Sequence, residues 1–568
     1  MNWQLVDVVS APATSRIQER DFSDQFGIDG LNTHDQTHKA RDRSLSDAWP
    51  LSGHGIRNAG SLPRIMVSRV RIDRLTQADV SSHNVGMDSL STNLGLTSGS
   101  LSRRELLGAG SLAALGAGIG GSRPDQSTAA EAAPGFGRAK QVLLLYIYGA
   151  WSQLDTFDPK PEAPDNIRGE FSAIPSCLPG INVGEHLPQS SRVLDQCTLI
   201  RSMSHPWNIH SASYTLTGNP DTERIEGRQR HPDQWPYLGS IVDLLGEQGM
   251  LGTSNGLPRN VMLPFRQSLY ARPNKRSGTF GGFLGMGYDP LWTEFYGESP
   301  VDDPFQEITP EGRFGFGTDS AAGASTEQLD RRRLLLDQIE NKTDAVESTK
   351  ASRGYLRQRQ SAFRLLSSPK LRDAIKIEDE PVALREAYGM TLFGQSCLAA
   401  RRLLETDVKF VTVVWDEYGQ TDESWDTHYY HHPRMKNFLL PAFDKAFATL
   451  MNDLRQRGML DDTLVMCLSE HGRTPRLNGQ PIPGRDHWSR AYCQLFAGAG
   501  VPQGQVVGAT DEIAGDVLNN PINPKDILVT ACRLIGIDPR HEILASPGRP
   551  VPLVRGGRIV PQLLTSTK

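Results

Sequence analysis

Histidines and acidic residues gather in four short segments of the sequence, residues 151–158, 204–213, 422–432 and 469–488. Seven of the 14 histidines lie in these segments: His205, His210, His428, His431, His432, His471 and His487. Histidine together with carboxylate is the ligand set of zinc and other first-row divalent ions, whereas carboxylates alone favour magnesium, calcium or manganese. A single histidine of this kind would be an ordinary loop residue. The joint pattern indicates a metal-binding or catalytic site.

A hydrolase that uses two metal ions needs such a distribution of ligands. Two cations about 4 Å apart must be held by side chains from separate strands, so that one activates the nucleophile and the other stabilises the leaving oxygen. No single local motif can supply that geometry. The four segments together are therefore consistent with a two-metal hydrolase.

Each of the four segments is preceded by an apolar run of strand length. The first run, Gln141–Tyr148, is continuously apolar after its first residue, which is typical of a strand buried on both faces of a parallel sheet. Further strands are predicted at Thr198–Ser202, Asn260–Leu263, Lys409–Trp415, Thr463–Ser469 and Tyr492–Ala497. Helical patterns lie between them, at residues 238–248, 331–347, 353–366, 395–405, 435–457 and 524–535. This alternation predicts an α/β protein with its site at the carboxyl ends of the strands.

Composition excludes several other classes of protein. Lys and Arg number 60 and Asp and Glu number 65 in 568 residues, a net charge of −5 without a basic block, which argues against nucleic acid as the main partner. Six cysteines without a Cys-x-x-Cys pair exclude a disulfide scaffold and a cysteine-rich zinc module.

The first 132 residues are not expected to belong to the folded domain. Residues 1–100 lack periodicity, so we expect either disorder or a mis-annotated extension, with translation starting at Met87. Residues 101–132 contain Ser102-Arg103-Arg104-Glu105-Leu106-Leu107, a weakly apolar stretch and the small-x-small site Ala130-Glu131-Ala132. This order is that of a twin-arginine signal peptide, which predicts export to the periplasm or the extracellular space. The apolar stretch is too short for a stable membrane span.

Residues 133–568 are predicted to form one α/β domain. The glycine-rich stretch 266–326 has few periodic residues, so we expect an irregular insertion near the site, spanning about residues 265–370 with the helices that follow. The sequence says nothing about oligomeric state.

Six motifs together resemble a family of exported bacterial proteins of unknown function within the alkaline phosphatase and sulfatase superfamily. They are Gly149-Ala150-Trp151-Ser152 with Asp155, Arg201-Ser202-Met203-Ser204-His205, Thr217-Gly218, Trp425-Asp426-Thr427-His428, Glu470-His471-Gly472-Arg473-Thr474-Pro475 and Gly484-Arg485-Asp486-His487. Members of this family commonly carry twin-arginine signals. The resemblance implies an alkaline-phosphatase-like core, with a mostly parallel central sheet sandwiched by helices.

The resemblance also implies a set of metal ligands. In chain order these are Asp155, Asp426 with His428, Glu470 with His471, and His487. The middle acid and histidine are usually separated by three residues, whereas Asp426 and His428 are separated by one. Asp422 with Asp426, or His428 with His432, keeps the wider spacing. A glutamate also replaces the usual aspartate of the acid-histidine pair, which lengthens its reach by one methylene.

The nucleophile is the least defined part of the expected site. Ser211 is similar to the serine of the phosphatases, with Ser152 and Ser213 as competitors, and a metal-activated water could also act. No Cys-x-Pro-x-Arg segment occurs, so the formylglycine chemistry of typical sulfatases is not supported. Arg473 and Arg485 are the expected partners of a phosphate or sulfate group, because their planar forks match its oxygens.

Taken together, these features predict an exported metal-dependent hydrolase of phosphate or sulfate esters. The ester would be a small molecule or a polysaccharide, and the divalent ion would be zinc, manganese or calcium. Two alternatives stay open: a non-catalytic protein that binds anionic polysaccharide on the same fold, and a structural envelope protein without bound metal.

Overall fold

An eight-stranded sheet, seven of whose strands run in the same direction, carries the fold. The computed structural model describes residues 134–220, 227–252, 257–269, 276–297, 311–317, 328, 331, 334–335, 338, 350–416, 425–545 and 548–565. The sequence predictions for the N-terminal extension and the twin-arginine signal therefore lie outside the described residues.

The strands of the described residues fall into one large sheet and five two-stranded pairs. The large sheet contains β1 (Gln141–Ile147), β4 (Cys197–Met203), β5 (Asn260–Leu263), β6 (Leu291–Trp292), β9 (Phe410–Trp415), β10 (Thr463–Leu468), β13 (Tyr492–Ala497) and β14 (Gln505–Val507). The pairs are β2 (Ala173–Pro175) with β3 (Asn182–Gly184), β7 (Glu294–Tyr296) with β8 (Arg313–Gly315), β11 (Gly472–Arg473) with β12 (His487–Trp488), β15 (Ala509–Thr510) with β16 (Val517–Asn519), and β17 (Glu542–Ala545) with β18 (Arg549–Pro552).

The order across the large sheet is β14-β4-β13-β10-β1-β9-β5-β6. β1 lies in the middle and pairs in parallel with β10 on one side, Val142 opposite Leu464, and with β9 on the other, Val142 opposite Phe410. β13 is antiparallel to both of its neighbours, β10 and β4. The other seven strands therefore end at the same edge of the sheet.

Helices cover both faces of this sheet. The described helices are α1 (Asp165–Arg168), α2 (Ala212–Thr217), α3 (Leu238–Glu247), α4 (Lys350–Ser367), α5 (Pro369–Ala374), α6 (Val382–Tyr388), α7 (Leu392–Glu405), α8 (His431–Arg434), α9 (Leu440–Gln456) and α10 (Pro524–Ile535), with a π-helical turn at Met435–Leu439 between α8 and α9.

The alternation of side chains along β1 explains why both faces are covered. Leu143 and Leu145 belong to a core cluster that contains α7 and α9, whereas Val142 and Leu144 belong to a second cluster that contains α3 and α10. Successive residues of a strand point to opposite faces, so an uninterrupted apolar run needs a buried surface on each side. The predicted α/β class, with a mostly parallel sheet between helices, is confirmed.

Most predicted elements agree with the structure to within a few residues. The strand at residues 260–263 and the helix at residues 524–535 have the predicted bounds, and α7 begins three residues earlier than predicted because Thr391 caps it by accepting the N–H of Gly394. The predicted helix at residues 435–457 begins instead with the π turn. Most of the predicted helix at residues 331–347 lies outside the described residues. Within the part of the chain that the structure describes, no helix has the length and apolar character needed to cross a membrane.

Candidate metal centre

Loops that follow four strands meet at one edge of the central sheet. β1, β4, β9 and β10 end at that edge, and the loops after them contain Gly149, His210, Asp426 and Glu470 in that order of the chain. β13 runs in the opposite direction, so it begins at this edge, and His487 lies just before it. The carboxyl ends of parallel strands are where α/β proteins build their sites.

His210 lies at the centre of this group, buried between two carboxylates. Its Nε2 lies 3.0 Å from Asp426 Oδ2, and its Nδ1 lies 2.7 Å from Glu470 Oε1. Burial alone would lower the pKa of His210, but the two carboxylates outweigh it and raise that pKa to about 9. The surroundings of the ring thus carry excess negative charge, which favours a proton or a cation.

Asp426, His428 and His487 form the solvent side of the group. His428 Nε2 lies 3.0 Å from both His487 Nε2 and Asp426 Oδ1, and His487 Nε2 lies 3.4 Å from the same carboxylate oxygen. The side chain of His428 is 34% exposed, so solvent and solutes reach the group from this side. The hydrogen bond with Asp426 raises the pKa of His428, whereas burial lowers the pKa of His487. Two imidazole nitrogens and a carboxylate oxygen that face one another in this way can share one cation.

Glu470 and His471 form the buried side of the group. His471 Nδ1 lies 2.8 Å from the backbone oxygen of Gly472, an atom that can only accept, so the neutral ring carries its lone pair on Nε2. That Nε2 is buried and has no hydrogen-bond partner among the described residues. Glu470 accepts the N–H of Gly149 on Oε1 at 2.8 Å, and its buried Oε2 likewise lacks a hydrogen-bond partner within the described part of the chain. Buried acceptors are normally satisfied, so both atoms fit the role of metal ligand.

Charge and burial keep His471 and Asp426 in the protonation states that bind metal. Burial lowers the pKa of His471 well below its usual range, so its ring is neutral near pH 7. Burial would raise the pKa of Asp426, but Arg473 and His210 outweigh it and hold that pKa far below its usual range. Neutral imidazole and ionised carboxylate are the forms that coordinate divalent ions.

Asp155, the first of the expected ligands, lies in a different buried group. The structure places it with His431 and His432, and not among the residues that surround His210. His431 Nε2 lies 2.9 Å from Asp155 Oδ2, and His432 Nε2 lies 3.6 Å from Asp155 Oδ1. The pairing of His428 with His432 is thus not realised in the structure, and Asp422 lies outside the described residues.

Both arginines that were expected to bind the substrate anion are fully buried and have partners within the protein. Arg473 pairs with Asp426 Oδ1 at 2.6 Å and donates to the backbone oxygens of Ala150, Gly149 and Arg485. Arg485 Nε donates to Asp155 Oδ2 at 2.8 Å, and its other nitrogens donate to the backbone oxygens of Ile167, Thr474 and Pro475. Their role toward a substrate stays a prediction.

The three candidate serines have different surroundings. Ser211 caps α2, because its hydroxyl accepts the N–H of Tyr214 at 3.3 Å, and it directly follows His210. Ser152 donates its hydroxyl to Asp155 Oδ2, so it belongs to the second group. Ser213 lies in the first turn of α2 and is buried. Of the three, Ser211 is the one whose neighbour in sequence belongs to the His210 group.

Sequence reasoning assigned no ligand role to His210 or His431, and it named His432 only as an alternative partner of His428. All three are among the seven clustered histidines, so the signal for them was their concentration after strands. Their individual roles depend on which acid each ring meets, and those acids lie 216 to 277 residues away in the chain. In contrast, His205 donates through Nε2 to the backbone oxygen of Glu470 and accepts the N–H of Trp207 on Nδ1, so it supports the loop instead of joining the group.

Comparisons with solved structures show distant similarity. The chain is similar to a protein in the alkaline phosphatase superfamily from Vibrio parahaemolyticus, at 12% identity over 71% of this chain and 69% of the other, with a TM-score of 0.34. It is also similar to a sulfatase from Pseudoalteromonas sp., at 14% identity over 73% and 72%, with a TM-score of 0.32. A phosphonate monoester hydrolase of Agrobacterium radiobacter matches at 13% identity over 74% and 77%, with a TM-score of 0.27. These matches are too distant to carry an argument about fold or function.

The sequence matches a protein family but none of the curated proteins. Residues 139–564, which include every residue of the candidate metal centre, match the model of a family described as protein of unknown function, DUF1501. The match covers about three quarters of the chain, and the protein therefore belongs to this family.

Proposed function

We propose that the protein is a metal-dependent hydrolase of phosphate or sulfate esters whose metal centre surrounds His210. The observation that carries the proposal is the lone pair of His471 Nε2, buried without a hydrogen-bond partner among the described residues and directed away from Gly472. A buried nitrogen of this kind costs free energy unless a donor or a cation meets it.

Six side chains are the proposed ligands: His210, Asp426, His428, Glu470, His471 and His487. The set combines imidazole nitrogens with two carboxylates, which suits zinc and manganese and accepts calcium through the oxygens. A bound divalent cation would polarise the ester oxygen and lower the pKa of the attacking hydroxyl or water.

Residues behind the proposed ligands fix the orientation of the ligand side chains. His428 Nδ1 lies 2.8 Å from Asp486 Oδ1, which turns the other ring nitrogen toward His487 and Asp426. Asp486 is itself fixed by Asn478, whose side-chain amide donates to the same oxygen. A carboxylate behind a ligating histidine is the usual way in which proteins fix its tautomer.

Ser211 is the proposed nucleophile, with water as the competing one. Its place at the N-terminus of α2 fixes its hydroxyl, and the preceding residue, His210, lies against the two central carboxylates. We propose that Arg473 acts mainly by holding Asp426, since its guanidinium is bonded to that carboxylate and to backbone oxygens.

A second candidate function, anion or polysaccharide binding without turnover, is favoured by one specific observation. The Ser211 hydroxyl already serves as a helix cap, which restricts its freedom to attack a substrate. Metal bound at stoichiometric amounts without ester hydrolysis would mark this alternative.

The proposed cell location is outside the cytoplasm, by the twin-arginine route. The support for it is the order of Arg103-Arg104, the apolar stretch and Ala130-Glu131-Ala132 in the sequence. N-terminal sequencing of the protein from the periplasm or medium would find a start near Ala133, whereas intact protein confined to the cytoplasm would contradict export.

The test of the proposed function is hydrolysis of 4-nitrophenyl phosphate and 4-nitrophenyl sulfate by the purified protein with added Zn²⁺, Mn²⁺ or Ca²⁺. We expect turnover of at least one ester that is abolished by chelator and restored by the cation. The Ser211→Ala variant should lose turnover and keep its metal if the serine attacks. No turnover by metal-loaded protein, over a panel of phosphate and sulfate mono- and diesters, would contradict hydrolysis.

A further inference from the structure

We propose that Asp155 holds no cation and that Arg485 supplies its positive charge instead, so that any cation binds on the His210 side alone. Binding of a cation on the His210 side rests on the proposed function. The inference that Asp155 holds no cation rests only on the surroundings of Asp155, and it departs from the two-cation arrangement that the ligand order implies.

One oxygen of Asp155 is fully used by protein donors. Oδ2 accepts the hydroxyl of Ser152 at 2.5 Å, Nε–H of Arg485 at 2.8 Å and Nε2 of His431 at 2.9 Å. A cation at this oxygen would have to displace at least one of these three donors.

Arg485 is fixed in place as a permanent partner. Its side chain is completely buried, and besides Asp155 it donates to the backbone oxygens of Ile167, Thr474 and Pro475. A guanidinium held on several sides by backbone oxygens cannot swing away to admit another cation without leaving those buried acceptors unpaired.

The two histidines beside Asp155 are also occupied by the protein. His431 Nδ1 lies 2.6 Å from the hydroxyl of Thr427, which leaves the ring to donate from Nε2 to Asp155. His432 Nε2 accepts the N–H of Glu170 at 3.4 Å. Gly169, with φ of +73°, covers the same nitrogen so closely that a Cβ there would lie 2.3 Å from it. The other carboxylate oxygen, Oδ1, is buried and has no hydrogen-bond partner among the described residues, and it lies 3.6 Å from His432 Nε2. A cation at Oδ1 would nevertheless find the Nε2 atoms of both histidines already engaged, that of His431 with Asp155 Oδ2 and that of His432 with the N–H of Glu170.

Charge balance separates the two groups. At Asp155 one buried carboxylate faces one buried guanidinium, so the local charge is already neutral and a divalent ion would add two uncompensated charges. Around His210 two buried carboxylates, Asp426 and Glu470, face the guanidinium of Arg473 and the His210 ring, whose proton a divalent ion can replace, and Asp486 adds a further negative charge on the solvent side. A divalent ion is therefore favoured around His210 and not at Asp155.

The pair Asp155–Arg485 then has a positioning role. It ties the loop that follows β1 to the loop between β11 and β12, and β12 begins with His487. The ion pair thus helps to hold a proposed ligand in place without contacting the cation.

The location of bound Mn²⁺ tests the inference most directly. Crystals of the full-length protein are soaked in Mn²⁺ at saturating concentration, and anomalous difference density is measured. We expect a peak among the ligands around His210 and none within coordination distance of Asp155. A peak beside Asp155 would overturn the inference and leave the proposed function intact, whereas absence of density around His210 would count against the proposed function only.

Variants provide the matching measurement in solution. Elemental mass spectrometry should find the same metal content in Asp155→Asn and in wild type, and also in the milder His432→Gln, which serves if the first variant fails to fold. Loss of about one equivalent of metal in either folded variant would contradict the inference.

The Arg485→Met variant removes the positive charge beside Asp155. We expect the thermal stability of this variant to be lowered and to recover with millimolar guanidinium and not with sodium. Equal response to both salts would argue against a charge-replacing role.

Discussion

His471 is the residue whose surroundings support the proposed metal centre most directly, because its buried Nε2 has no hydrogen-bond partner among the described residues. The His471→Ala variant should therefore lower the affinity for Zn²⁺ by about 100-fold or more, since even residues behind the ligands contribute 10- to 100-fold. Isothermal titration calorimetry of the metal-free wild type and variant with Zn²⁺ would measure this loss of affinity.

The matched control is His541→Ala, which removes a histidine remote from the group and only partly buried. Its affinity for Zn²⁺ should equal that of wild type. Equal affinity in His471→Ala as well would remove His471 from the ligand set.

Asp486 acts through His428, to which it is hydrogen bonded. Asp486→Asn keeps the size of the side chain and removes its charge, so we expect about a tenfold loss of metal affinity with little change in fold stability. Asp165→Asn, at an exposed aspartate paired with Arg168, is the control and should have no effect. A Zn²⁺ affinity in Asp486→Asn that matches the control would show that His428 needs no such partner.

At the scale of single residues, the sequence predicted which residues gather at the sheet edge better than which of them group together. Asp426, His428, Glu470, His471 and His487 were all expected as ligands. The structure groups Asp426, His428 and His487 with His210, and it groups Glu470 and His471 with the same histidine. Asp155 was expected with them and lies elsewhere, because its partner Arg485 comes from 330 residues later in the chain. Which acid meets which base is decided by tertiary packing, and one sequence carries little information on that pairing.

Among the elements, the helices that pack behind the sheet depend on a buried charge network. Arg401 in α7 pairs with Glu380 at 2.8 Å and with Asp453 of α9 at 2.9 Å, and Arg402 pairs with the same Glu380 oxygen at 2.7 Å. Burial would raise the pKa of Glu380, but hydrogen bonds from the two arginines outweigh it and lower that pKa. The carboxylate form is thus the stabilising one.

Glu380→Gln should lower the free energy of unfolding at pH 7 by about 1–2 kcal/mol. A lowered pKa in the folded state means that the contribution is present above the unfolded value of 4.5 and is lost as pH falls through the folded value. The difference between wild type and variant, measured by urea denaturation, should therefore shrink below about pH 4.5.

Glu378→Gln, at an exposed glutamate of the same turn, is the control and should stay within about 0.5 kcal/mol of wild type. A Glu380→Gln difference that does not change with pH would show that packing, and not the ionised carboxylate, accounts for the loss.

The elements themselves followed closely from sequence pattern, with one informative difference. β13 has the apolar run of a buried strand, as predicted, but it runs antiparallel to β10 and β4. An apolar run buried on both faces carries no information on strand direction. That direction brings His487, which precedes the strand, to the same edge as residues that follow the other strands.

For the whole molecule, a cation that binds only the folded state must stabilise it. At 100 times its dissociation constant, the gain is about 2.7 kcal/mol. For a folded region of some 430 residues, this corresponds to a rise in Tm of about 3 °C. Calorimetry of chelator-treated protein, before and after Zn²⁺ is added, should reproduce that rise. A Tm that changes neither with chelator nor with Zn²⁺ would argue against a metal site in the folded protein.

The metal content of the purified protein tests the central claim most directly. Elemental mass spectrometry on protein prepared without chelator should find at least one equivalent of zinc, manganese or calcium per chain, and the His487→Ala variant should lose it. Protein that contains no stoichiometric divalent metal, and takes none up from excess Zn²⁺, Mn²⁺ or Ca²⁺, would contradict a metal centre around His210 and with it the proposed hydrolase.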